Sequence, residues 1–91
     1  MSLNISHDTH HHRFYVEVEG STCVLDYRLS GAVMTITHTG VPSEVGGRGV
    51  AAQLMMAALH AARSQNWKVV PACAYAAVFM TKHPEFEDLR A

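Results

Sequence analysis

The chain has 91 residues, of which 48% are hydrophobic and 16% charged. That suits one domain with one modest core and excludes a disordered segment. The formal net charge of −1, with Arg13, Arg28, Arg48, Arg63, Lys68, Lys82 and Arg90 scattered along the chain, offers no basic field for nucleic acid.

No apolar run reaches the roughly 18 residues needed to cross a bilayer, so no membrane partner is expected. The start, Met1-Ser2-Leu3-Asn4-Ile5, lacks the basic and apolar regions of a secretory signal, and a cytoplasmic location follows as the expectation. Two cysteines, Cys23 and Cys73, are too few for a disulfide scaffold and read as free thiols.

Residues 1–12 read as a flexible leader, with residues 13–91 as the single domain. His7, His10, His11 and His12 cluster in that leader. They read as a solvated terminus; an adventitious metal or a tag remnant are the alternatives, and no metal site is expected. Phe14–Glu19 alternates apolar and polar residues, the mark of a half-buried strand. Gly20-Ser21 is a turn, and Cys23, Leu25, Tyr27 and Leu29 alternate along a second strand. Ser30-Gly31 turns again into Val33–Thr39, which is rich in β-branched residues. Three strands with tight turns make an antiparallel meander.

The character changes at Gly40. Gly40–Gly49 is no regular element, and a helix follows from about Gly49 to Gln65. Its polar residues Gln53, His60 and Ser64 fall on one narrow stripe, so the helix is largely buried, with alanines allowing close approach to the sheet. Trp67–Val70 reads as a fourth strand limited by Pro71, and Ala74–Lys82 as a short helix stopped by Pro84. The order β-β-β-α-β-α predicts an α+β or mixed-sheet domain.

Val45-Gly46-Gly47-Arg48-Gly49-Val50 joins a strand to a helix. Glycine permits positive φ and lets a ligand approach the backbone, while a helix start offers unpaired N–H groups and the positive end of its dipole. Together these suit a pyrophosphate; the alternative is a tight turn that only packs the helix on the sheet. A P-loop would need Gly-Lys followed by Ser or Thr, which is absent. Gly47–Ala52 formally fits the dinucleotide pattern, but a meander precedes it and no acidic residue follows the next strand.

These residues resemble the GNAT acetyltransferases, whose [Gln/Arg]-x-x-Gly-x-[Gly/Ala] loop between a strand and a helix aligns with Glu44–Gly49, Glu44 being a departure. The resemblance is sharper to a small stand-alone GNAT-like subgroup, through His38-Thr39-Gly40-Val41-Pro42, Pro71-Ala72-Cys73-Ala74-Tyr75 and Lys82-His83-Pro84-Glu85, and it covers about Phe14 to Leu89. It implies a compact, minimal GNAT fold. It also implies acetyl-CoA as cofactor, bound by Val41, Val45, Gly46, Gly47, Arg48, Gly49 and Val50, with pantetheine running past the end of the Val33–Thr39 strand. The implied activity is acetyl transfer to a primary amine, of which a protein or peptide lysine suits so short a chain. The alternative is a module that binds acetyl-CoA or CoA without turnover.

Acetyl transfer needs a neutral amine, a polarised thioester and a proton for the leaving thiolate. Cys73, at the start of a helix, is either a nucleophile that takes the acetyl group or a small residue lining the channel. Tyr75 is either the acid that protonates the CoA sulfur or a core aromatic. His38 aligns with Met34 and Ile36 and is expected to face inward, as a structural residue before a catalytic base; His38 and His83 are the histidines that would reach Cys73.

Overall fold

A computed structural model of the chain describes residues 3–91; the first two residues of the expected leader lie outside the described residues. Apolar alternation builds the sheet. β2 (Arg13–Val18) buries Phe14 and Val16, β3 (Ser21–Ser30) buries Cys23, Leu25 and Tyr27, and β4 (Val33–Gly40) buries Met34 and Ile36. These strands form the expected antiparallel meander.

α1 (Val50–Gln65) then crosses back to β5 (Lys68–Pro71), which pairs with β4 in parallel. A parallel pair needs such a crossover, since a tight turn cannot reverse the chain twice. Ala58 and Ala62 of α1 are fully buried and bring its backbone close to the strands, while Leu54, Met55 and Leu59 fill the space beside them. Asn66, in the left-handed conformation, ends the helix by donating its N–H to the carbonyls of Ala62 and Arg63. α2 (Ala74–Lys82) adds Ala76, Phe79 and Met80 to the same core. The result is the predicted α+β fold: a mixed sheet with one covered face.

Two elements were not expected. Ser6–Asp8, inside the segment read as a flexible leader, forms an edge strand, β1, antiparallel to β2, which gives the sheet the order β1-β2-β3-β4-β5. Leu3 and Ile5 pack against the core ahead of it. A three-residue strand of polar residues carries no periodicity to read. Its anchor is tertiary: the His7 ring stacks on Phe14 at 3.9 Å and its Nε2 lies 2.7 Å from the Tyr27 hydroxyl. The second element is the 3₁₀ segment Pro84–Leu89, which buries Phe86 and Leu89. Pro84 does end α2, but it also opens this turn, where its missing N–H costs nothing. Arg90 then bridges to Val69, so the chain's end covers part of the β5 edge.

The docking of β1 carries a pH dependence. Partial burial holds the His7 imidazole below its ordinary 6.5, aided by His12 and opposed by Asp8. The docked strand therefore favours neutral His7. Docking is at full strength above pH 6.5 and weakens as the pH falls below it. After correction for intrinsic exchange, the amides of β1 should lose protection between pH 7.5 and 5.5 while those of β3 keep it. Equal protection of β1 at both pH values would contradict this role for His7.

Candidate functional site

A β-bulge decides what β4 presents to the interior. Tyr27 lies opposite Ile36, but Asp26 lies opposite His38, so Thr37 is an extra residue. The extra residue reverses the alternation of every side chain beyond it. Met34 and Ile36 point into the core, and Thr39, opposite Leu25, takes the inward position after them. His38 falls on the outer face and is exposed, contrary to the expectation that it faces inward. Its ring folds over Gly40, where a Cβ would sit 2.8 Å from Nε2.

Just past the bulge, β4 and β5 part. The last register pair is Ile36 with Pro71, and the Ile36 carbonyl accepts N–H groups from both Ala72 (3.0 Å) and Cys73 (3.1 Å). β4 runs on to Gly40 beside β3 alone, while the other strand turns into α2. Thr39 and Cys73 face each other across the opening, with Oγ1 and Sγ 3.6 Å apart. Cys73 is the N-cap of α2, and its sulfur accepts the Ala76 N–H at 3.4 Å. It is half-buried and free, whereas Cys23 is fully buried and its thiol is pushed up by burial.

The glycine-rich loop stands at the same end of the sheet, because α1 follows the C-terminal end of β4 and α2 follows that of its parallel neighbour. Crevices outside the carboxyl ends of parallel strands are where open α/β sheets bind ligands. The loop begins with a 3₁₀ turn, Ser43–Val45. Val45 and Val50 are 1% and 2% exposed; these two anchors hold an exposed arch, Gly46–Gly49, between them. Gly47 and Gly49 take φ of +79° and +75°, values that side chains rarely tolerate.

Of the residues expected to bind cofactor, Val45 and Val50 keep their side chains in the core, and Val41 is half-buried against it. The N–H of Val45 is donated to Pro42 O and that of Gly46 to Ser43 O. Those of Gly47, Arg48, Gly49, Val50, Ala51 and Ala52 have no hydrogen-bond partner among the described residues, and Gln53 is the first to bond back, to Gly49 O. Donors for an anion are thus concentrated from Gly47 onward. The Arg48 guanidinium leaves the arch to pair with Glu19, one of its contacts being Nη2 to Oε1 at 3.3 Å, and holds that carboxyl below the usual range. Glu44 is exposed beside the arch.

Tyr75, in the first turn of α2, is 39% exposed, and its hydroxyl has no partner among the described residues. Partial burial pushes the phenol up, so it stays protonated near neutral pH. His83 sits at the far end of α2, where it stacks on Phe79 at 3.9 Å with Nδ1 2.8 Å from the Phe79 carbonyl oxygen. It therefore does not approach Cys73, and neither does the outward-facing His38. Sequence reasoning passed over Thr39, which only the bulge turns inward, and Glu19, whose partner lies 29 residues away.

The mixed sheet is thus split between its parallel strands, with a glycine arch opening one helix and a thiol capping the next. Residues 13–89 match the family model of the GCN5-related N-acetyltransferases. The chain belongs to that family, and is an acyltransferase of its type. The solution structure of a GCN5-like protein from Staphylococcus aureus is similar, with 28% sequence identity and a TM-score of 0.78 over 99% of this chain and 89% of that one. No helix among the described residues is long and apolar enough to cross a membrane.

Proposed function

We propose that this chain moves an acetyl group from acetyl-CoA to a primary amine, the lysine of a protein or peptide, by way of Cys73. The observation that carries the reading is the pairing of an exposed arch of free N–H groups, Gly47–Val50, with a half-buried thiol at the start of the neighbouring helix. The arch fits a diphosphate: its backbone donors are unpaired, and at Gly47 no neighbouring atom lies within 4 Å of where a Cβ would stand. When bound there, the cofactor supplies an activated acetyl thioester.

The chain's own residues do the rest. Gly47, Arg48, Gly49 and Val50 hold the diphosphate through their N–H groups, and Val41 lines the approach to the opening between the strands. The N–H of Ala76 and the hydroxyl of Thr39 hold the Cys73 sulfur in place at the opening. Cys73 forms a bond to the acetyl carbon as the bond to the CoA sulfur breaks; Tyr75 gives its phenolic proton to that sulfur and takes in its place the proton that the Cys73 thiol gives up. The neutral amine then displaces Cys73, and the proton the amine loses returns to the Cys73 sulfur, which restores the thiol. This one domain, with β1 as the edge of its sheet, acts in the cytoplasm, with neither nucleic acid nor membrane among its partners.

Intact-protein mass spectrometry after incubation with acetyl-CoA, with calorimetry on the same sample, tests this. The expected result is binding and one added acetyl group, mapped to Cys73 and lost when a lysine peptide is supplied. Binding with peptide turnover and no adduct would replace the covalent route by direct transfer. No binding would overturn the placement of the cofactor.

A further inference from the structure

The turn between β2 and β3 contains a residue the turn itself does not call for. Val18 pairs with Ser21, so only Glu19 and Gly20 close the hairpin, and both have positive φ, +49° and +81°. That is the two-residue turn whose first position favours Asn, Asp or Gly, whose backbones tolerate the left-handed region. A glutamate there carries backbone strain without local return. Its carboxylate instead reaches across to Arg48, the one cation of the glycine arch, 29 residues further on. The pair is largely exposed, so it is weak enough to be exchanged.

We infer that Glu19 sets how tightly the arch holds a diphosphate, by competing with it for the Arg48 guanidinium. With the pair closed, the Arg48 guanidinium is committed to Glu19 and its charge is offset there. A diphosphate draws Arg48 only by breaking the pair. Glu19 thereby weakens retention and speeds release of the spent CoA. The inference rests on the proposed placement of the cofactor, and it adds a determinant of affinity outside the loop.

Calorimetric titration of the full chain with CoA, and with pantetheine as a probe lacking the diphosphate, tests it in the Glu19→Gln, Arg48→Gln and double variants. Glu19→Gln should tighten CoA binding roughly twofold to fivefold, the range one exposed ion pair commands, and leave pantetheine binding unchanged. The gain should vanish in the double variant, because Glu19 acts through Arg48. Unchanged or weaker CoA binding in Glu19→Gln, or a gain that persists without Arg48, overturns the inference while leaving the cofactor site standing. A wild-type chain that does not bind CoA at all overturns that site, and the inference with it.

Discussion

Gly47→Asp is expected to abolish CoA binding, a loss of at least about a hundredfold, or roughly 2.7 kcal/mol. Two effects add. The carboxylate would stand where the diphosphate is held, in the mouth of a helix whose dipole would now be satisfied by the protein's own anion. The backbone at φ +79° would also be strained by any side chain, by about 1–2 kcal/mol. No neighbouring atom lies within 4 Å of the added Cβ, so a clash with the fold is not the cause. Gly47→Asn separates the two effects, because asparagine meets the same backbone conformation as aspartate but carries no charge. Its binding should fall only modestly, and its thermal unfolding should match that of the aspartate variant. If the aspartate variant still bound CoA, the diphosphate would have to lie elsewhere.

Cys73→Ala should end covalent acetylation of the protein and reduce turnover to background while CoA affinity stays near that of the wild type. The sulfur touches Thr39 and the α2 N-terminus rather than the glycine arch, so cofactor affinity does not depend on it. The alanine variant also loses the N-cap of α2, which costs about 1 kcal/mol of stability. Cys73→Ser is the cleaner probe. Its hydroxyl restores the acceptor for the Ala76 N–H but is a far weaker nucleophile near neutral pH. A serine variant with normal stability and no adduct would mark Cys73 as the nucleophile. A serine variant with full turnover would mark it as a cap that happens to border the channel.

Period and punctuation in the sequence determined much of the fold. Alternation in Phe14–Glu19 and Cys23–Leu29, two glycine turns and the apolar run after Gly49 were enough for the meander and the buried helix that follows it; the parallel pairing of β5 with β4 came from the structure. Local patterning decides the meander and that helix, since a strand or helix is buried on the face its own residues define. The candidate site was legible where its chemistry is local: three glycines before a helix, and a cysteine ahead of α2.

What escaped the sequence depends on partners distant along the chain. β1 exists because Phe14 and Tyr27 offer His7 a ring to stack on and a hydroxyl to meet. The Glu19–Arg48 pair joins a hairpin to a helix start. The clearest case is the bulge at Thr37. By period alone His38 follows Met34 and Ile36 inward, and Thr39 faces out. One extra residue reverses both, puts Thr39 against Cys73, and leaves His38 on the open face of the sheet. Composition and spacing determined that this chain carries a glycine arch ahead of one helix and a thiol ahead of the next; the pairing of β4 with β5 brought them to one end of the sheet, and the register between β3 and β4, set by cross-strand hydrogen bonding and invisible in either strand alone, decided which side chain meets the thiol.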